Sequence, residues 1–320
     1  MNKEIYLISE SNDPSTNLVI DWLSALKKQF IRKNVDIDFN DFNILIDDEN
    51  HKTSIDNYLI WNRRGYIPII PVNTKISSWT SYLKKEQLPV LETFEIFNKH
   101  NYIGSYFKEL HNNKIINLKI AKDIGFTVPR TIITNNKKDL QSFINSNRKY
   151  ITKSLVHSPL LETEESYYTG NGTVFFDIDL VSDFFAPSLV QEYIEKDIEI
   201  RVFFIMDKFY SMAIFSQKDE QTKVDFRNYN DENPNRNVPF ILPTEVLNKL
   251  KLFVKRIDCN TGSIDLILSP EGTYVFLEIN PMGQYDWVSQ NCNYYIDKTI
   301  AEMLIKKSKI GSRNKKTVTT

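Results

Sequence analysis

The chain has 320 residues, with 40 Lys and Arg against 41 Asp and Glu and a formal net charge of -1. That balance provides no global attraction to nucleic acid or to an anionic membrane, so neither is an expected partner. Apolar runs such as Val202–Ile205 and Met212–Phe215 fall far short of a bilayer span. The opening MNKEIYLISESND lacks the cationic-then-apolar pattern of a secretory signal, and the expected location is the cytoplasm. Two cysteines, Cys259 and Cys292, and only four histidines make neither a zinc pattern nor a disulfide framework, so reduced thiols are expected.

Residues 4–9 (EIYLIS) read as a short buried strand, followed by the turn-prone SNDPST. Leu18, Ile20, Trp22, Leu23, Leu26 and Phe30 recur at helical spacing, which predicts an amphipathic helix over residues 16–31. A second strand-like run lies at Ile67–Val72. Strand, helix, strand fits a small α/β layer, so residues 1–110 are predicted to form a domain that supports a site without supplying its chemistry.

Residues 114–125 predict a helix with Gly125 as its C-cap, followed by a strand at Thr131–Ile133. A helix at Asp139–Ile144 and strands at Tyr150–Leu155, Val174–Ile178 and Leu189–Ile194 complete an α+β lid over residues 111–196. From Glu199 the chain reads as mainly β: EIRVFFIM, a turn at DK, then FYSMAIFS. A long polar loop, a helix at 244–257, a final hairpin and a helix over Ile296–Lys307 follow, giving a third domain at 197–308. Residues 309–320 are basic without an apolar period, as in a disordered tail.

The strongest chemical signal is G262-S-I-D265-L-I-L-S-P-E-G-T-Y-V-F-L-E278-I-N280-P. In a strand over Thr273–Asn280, Val275, Leu277 and Ile279 would supply core. Tyr274, Phe276, Glu278 and Asn280 would share the other face. Ser263–Ser269 is the partner strand. With a four-residue loop at Pro270–Thr273, Asp265 pairs with Glu278; an odd loop without a bulge would put Asp265 on the wrong side. Asp265, Glu278 and Asn280 then offer hard oxygen ligands suited to magnesium, the alternative being a surface hairpin with ordinary polar residues.

This D-x12-E-x-N pattern resembles the metal motif of the ATP-grasp superfamily, and the other family positions occur upstream in order. Lys114, opening the helix before G125-F-T-V-P-R, and Lys153, on K149-Y-I-T-K-S-L, match the two phosphate-contacting lysines. Q191-E-Y-I194 (Gln191, Glu192, Tyr193, Ile194) matches the hinge whose backbone reads adenine, and E199-I-R201 follows it. The resemblance implies ATP and two magnesium ions as cofactors. Glu199 inherits the ribose contact, with Asp197 a weaker candidate. It also implies an α+β ATP-grasp fold: an N-terminal α/β pre-ATP-grasp domain, an α+β lid and a β-rich catalytic domain.

K223-V-D225-F-R227-N-Y and N280-P-M-G-Q-Y-D-W287 are similar to segments of peptide-modifying ATP-grasp enzymes, in particular graspetide synthetases of the microviridin and grasp-with-spasm types. That resemblance implies a ribosomally made precursor peptide as partner, phosphorylated on Asp or Glu and closed into ω-ester or ω-amide rings. It also implies a homo-oligomer. Arg227 would face the acyl phosphate or acceptor carboxylate, where a planar bidentate cation is favoured. Asp225 is the candidate for assisting deprotonation of the hydroxyl, or for orienting Arg227. Arg201 either lines the same pocket or braces Glu199. Tyr285 and Trp287 either wall a peptide channel or pack under the last helix. The chain departs from RimK-type ligases after Lys153, where Ser154–Tyr168 is long and acidic and only Gly170 and Gly172 lie beyond it. The alternatives are a RimK-type ligase adding an amino acid to a carboxylate and, outside enzymes, a nucleotide-sensing peptide-binding module.

Overall fold

The computed structural model describes residues 2–34, 43–47, 51–66, 76–156, 160–162, 167–169, 172–217, 219, 222–226 and 230–310. The chain divides into two compact units. One comprises Met1–His111, Cys259–Gly262 and Pro281–Thr320; the other comprises Asn112–Asp258 and Ser263–Asn280.

In the first unit, β1 (Glu4–Ser9) leads through α1 (Pro14–Ala25) to β2 (Phe30–Asn34). The short antiparallel pair β3 (Ile44–Ile46) and β4 (His51–Thr53) precedes β5 (Tyr58–Asn62). The long helix α2 (Ser77–Phe97), β6 (Tyr102–Ile103) and α3 (Tyr106–Leu110) follow. β2, β1, β5 and β6 form a parallel sheet in that order, with Ile5, Leu7, Leu59 and Ile103 fully buried.

The helix expected over residues 16–31 begins earlier and stops sooner. Asp13 caps it by accepting the Thr16 N–H, and Pro14 occupies the first turn, where a missing N–H costs nothing. It ends at Ala25; Lys27 takes a left-handed φ of 53°, and Phe30 begins β2 instead. The strand expected at Ile67–Val72 lies outside the described residues.

The second unit opens with α4 (Lys114–Ile124), which Asn113 caps and which ends, as its sequence predicts, at Gly125 with φ 97°. β7 (Thr131–Asn136), α5 (Lys137–Phe143), β8 (Tyr150–Lys153) and the small pair β9 (Leu160–Glu162) and β10 (Tyr167–Thr169) come next. With β11 (Thr173–Phe175) and β12 (Phe184–Glu192) they give a sheet ordered β11-β8-β12-β7, packed on Leu140, Phe143, Tyr150 and Val190. β13 (Ile198–Ile205), β14 (Lys208–Phe215) and β15 (Arg236–Phe240) precede α6 (Thr244–Arg256), β16 (Thr261–Leu268) and β17 (Tyr274–Asn280). They form a second sheet, ordered β15-β14-β13-β16-β17.

The turn between β13 and β14 is Met206–Asp207, one residue before the expected DK, because Ile205 pairs with Lys208 and Met206 adopts φ 54°. The chain then returns to the first unit as α7 (Asp286–Cys292) and α8 (Ile296–Ile310), which outlasts the helix expected to end at Lys307. Among the described residues, no helix is long and apolar enough to cross a membrane. Both cysteines are free thiols.

Candidate functional site

Asp265 lies opposite Glu278, and Ser263 opposite Asn280, across β16 and β17. The route to this register differs from the expected even loop. Leu268 pairs with Tyr274, so the connection is Ser269–Thr273, an odd number of residues. The loop is closed by Ser269 N–H donating to Thr273 O at 3.0 Å and Gly272 N–H to Ser269 O at 2.9 Å. Pairing then runs to Leu266 with Phe276, and Asp265 pairs next with Glu278, leaving Leu277 as the extra residue of a β-bulge.

The bulge breaks the strict alternation expected for the strand. Phe276, expected beside Glu278 on the polar face, is fully buried against Phe126 and Phe253, at centroid distances of 5.9 and 4.7 Å. Leu277, expected in the core, lines a cleft together with Glu278, Asp265 and Ile267.

That cleft holds about 580 Å³ of space, open solvent at its mouth included. Its polar walls are Lys153 from β8, Gln191 and Glu192 from the end of β12, Lys196, Glu199, Asp225, Asp265 and Glu278. Tyr193, Ile194 and Phe226 supply further walls. Glu278 Oε2 receives Lys153 Nζ at 3.3 Å and Lys114 Nζ at 3.6 Å, and Lys114 also donates to Ser154 O at 3.1 Å. The two lysines singled out in the sequence therefore meet on one carboxylate oxygen. Arg201 Nη1 donates to both oxygens of Asp265, at 2.7 and 2.8 Å. Arg201 thus braces Asp265 and not Glu199, and its guanidinium carbon stands 5.7 Å from the Phe226 ring centroid.

Glu199 is held by a residue the sequence reading missed. Lys196, buried with it, donates to Glu199 Oε1 at 2.7 Å and to Val224 O at 3.1 Å, and Ser216 Oγ donates to the same carboxylate oxygen at 2.7 Å. Burial pushes the Glu199 carboxyl above its usual range, against the pull of Lys196 and Ser216. Asp197, the weaker ribose candidate, is exposed and does not line the cleft. No local pattern distinguishes Lys196 from other lysines; only its burial does.

At the end of β12, Gln191 Nε2 donates to Thr131 Oγ1 at 2.8 Å, and Glu192 pairs with Arg148. The N–H groups of Glu192 and Tyr193 are spent on Arg130 O and Lys149 O, at 2.8 and 2.9 Å. Among the described residues, the Ile194 N–H makes no hydrogen bond, although Ile194 lines the cleft.

Asp225 is buried at 4% exposure in a non-strand segment, and Arg227 lies outside the described residues. Asn280 is exposed at the end of β17 and is not a cleft wall. Tyr285 walls no channel: it is 1% exposed, and its hydroxyl donates to Ser15 O at 2.9 Å within the first unit. Among the described residues, no group of three or more His, Cys, Asp or Glu side chains is disposed to hold a metal. Asp265 and Glu278 with the amide of Asn280 are a carboxylate pair and one neutral donor.

No family model matches the chain, and no curated protein matches it. Solved structures do. A RiPP-associated ATP-grasp ligase from Chryseobacterium gregarium, in complex with ADP and a leader and core peptide, is 23% identical, with a TM-score of 0.79 over 95% of this chain and 97% of that one. The macrocyclase MdnC of Microcystis aeruginosa MRC, bound with the precursor peptide MdnA, is 23% identical, with a TM-score of 0.74 over 94% and 99%. The macrocyclase MdnB of the same organism is 21% identical, with a TM-score of 0.69 over 95% and 99%. The chain has the ATP-grasp fold, a mixed α+β architecture, as its motif order implied.

Proposed function

We propose that this chain is an ATP-dependent ligase that activates Asp or Glu side chains of a ribosomally made precursor peptide. Ser or Thr hydroxyls, or Lys amines, then close ω-ester or ω-amide rings on the activated carboxyls. The observation that carries the reading is the pairing of Asp265 with Glu278 in a cleft where Lys153 and Lys114 both reach Glu278. The similar ATP-grasp ligase crystallised with ADP and a leader and core peptide supports both the nucleotide and the peptide.

The donor set fits magnesium. Asp265, Glu278 and Asn280 present hard oxygens from adjacent positions of one hairpin, and they would hold the ions, two in this reading. The charge balance argues the same way. Among the described side chains, the cations Lys114, Arg148, Lys153, Lys196 and Arg201 match the carboxylates Glu192, Glu199, Asp225, Asp265 and Glu278, which leaves no surplus to neutralise a polyphosphate. Bound magnesium would supply that neutralisation and polarise the terminal phosphate.

The chain's own residues do the rest. Ile194 offers its N–H to the purine edge, and Glu199, oriented by Lys196 and Ser216, accepts from the ribose hydroxyls. Lys114 and Lys153 turn from Glu278 to the phosphates as point charges. Arg201 positions Asp265. A peptide carboxylate oxygen attacks the γ-phosphorus, the bond to the β-phosphate bridging oxygen breaks, and ADP leaves. The acceptor hydroxyl or amine then attacks the acyl carbon, phosphate departs, and Asp225 takes the acceptor's proton. Arg227 is assigned to the acyl phosphate. A homo-oligomer completes the reading, and light scattering on the purified chain tests that part.

The test of function is mass spectrometry of a Thr- and Glu-rich precursor incubated with the protein, ATP and magnesium. Loss of one water per linkage, with stoichiometric ADP, is expected. Gain of an amino-acid mass would place the chain with RimK-type ligases, and nucleotide binding without turnover would make it a nucleotide-sensing module.

A further inference from the structure

We propose that Arg63 and Arg64 form a carboxylate-binding site in the crevice between the carboxyl ends of β1 and β5. This inference rests on the first unit alone and does not depend on the ligase reading.

The parallel sheet runs β2-β1-β5-β6. The chain leaves β1 to one side, for β2, while β5 lies on the other side, so strand order reverses between β1 and β5. In open α/β sheets, ligands bind in the crevice beyond the carboxyl ends at such a point. Here one wall is the Ser9–Asp13 turn entering α1, and the other is Arg63–Arg64 leaving β5. Both arginines are anchored through their backbone N–H groups to Ile8 O, at 2.8 and 3.4 Å.

Their guanidinium groups are only partly consumed by the fold. Asp13 is the nearest acid, with one oxygen 3.8 Å from Arg63 Nε and the other 3.8 Å from Arg64 Nε, both beyond hydrogen-bond reach. Asp13 is committed elsewhere: its Oδ2 accepts the Thr16 N–H at 2.8 Å and the Thr16 hydroxyl at 2.5 Å, as the cap of α1. Arg63 is 4% exposed. It donates through Nη1 to Met282 O at 2.8 Å and reaches Ser15 Oγ at 3.5 Å, while its buried Nε has no hydrogen-bond partner. Arg64 keeps a quarter of its side chain exposed, and among the described residues its guanidinium makes no hydrogen bond. Asp286, on α7, acts on Arg63 only through longer-range attraction.

Arg63 spends both Nη groups on the fold, so what remains is its desolvated Nε and the planar fork of Arg64, with one committed carboxylate between them. A carboxylate matches such a fork bidentately, whereas a neutral amide cannot supply the charge. A free small carboxylate and the Asp or Glu side chain of a bound peptide present the same two oxygens.

Full-length protein labelled with nitrogen-15 at arginine would be titrated with glutarate, with acetyl-Thr-Glu-Thr-amide and with acetyl-Thr-Gln-Thr-amide, following the Nε–Hε resonances. Saturable movement of the Arg64 resonance is expected with the first two and not with the third. Arg64→Gln should weaken glutarate binding by about tenfold, the scale of one lost charge-assisted pair. Arg63→Lys, which keeps the buried charge, assigns the second resonance. Tighter binding of the Glu peptide identifies a peptide side chain as the occupant, and tighter binding of glutarate identifies a free carboxylate. Stationary Arg63 and Arg64 resonances, equal movement with the Gln peptide, or undiminished glutarate affinity in a folded Arg64→Gln protein would overturn the proposal.

Discussion

Asp265 and Glu278 face one another across β16 and β17 although an odd loop joins the strands, because Leu277 is bulged out of the ladder between them. The bulge brings two carboxylates to one face and adds an apolar wall beside them. It also leaves Phe276 to the core.

Glu278→Gln keeps the shape of the side chain and removes the charge that Lys153 and Lys114 share on Oε2. ATP-dependent turnover should fall on the order of a hundredfold or more, the scale of losing a preorganised electrostatic group. Peptide affinity by calorimetry should persist. A variant releasing ADP at the parental rate would refute the assignment of the acidic pair.

Leu277→Ala should separate binding from stability. Leu277 is only half-buried and lines the cleft with Ile267, so truncation should cost the fold less than about 1 kcal/mol. Nucleotide affinity should drop roughly tenfold, read by titrating a fluorescent ATP analogue. Unchanged affinity would remove Leu277 from the nucleotide wall.

Phe276→Ala should do the opposite. The ring is fully buried against Phe126 and Phe253, and its loss leaves a cavity costing about 3–5 kcal/mol. Urea denaturation checks this; a loss below about 1 kcal/mol would contradict its placement in the core.

Stability should also respond to pH through Glu95 in the first unit. Burial against an apolar cavity lined by Ile8, Phe94, Tyr102 and Phe107 raises its carboxyl from 4.5 to about 7, opposed by hydrogen bonds from Ser105 and the Tyr106 N–H. The folded protein therefore holds this proton more tightly than the unfolded chain does. The resulting stabilisation is fully present below about pH 4.5 and is lost as pH rises through about 7. Glu95→Gln should flatten the fall of melting temperature across that interval, and an unchanged pH profile would count against the burial of this carboxyl.

Much of the local architecture was legible in the chain. Short apolar-rich runs located β1, β13 and β14, while Gly125 marked the end of α4, because these signals act between near neighbours in sequence. The α1 boundary was misread where Leu26 and Phe30 extended the helical spacing, since apolar period alone does not see the left-handed Lys27 that ends the helix. β5 and α2 escaped notice altogether. β5 is one strand of a parallel sheet whose neighbours are distant in sequence, and α2 buries little beyond Gln87 and Phe94.

The sequence by itself determined the acidic hairpin with which the site begins. Asp265, Glu278 and Asn280, their spacing, and the order of Lys114, Lys153, the 191–194 hinge and Glu199 before them were all readable from the residues alone. Only the tertiary structure decided how those residues are used. Strand register depends on how each face packs, so burial of Phe276 under Phe253 accompanies the displacement of Leu277 from the ladder. Ion-pair partners depend on proximity in space, which is why Arg201 went to Asp265 while Lys196, marked by no motif, took Glu199.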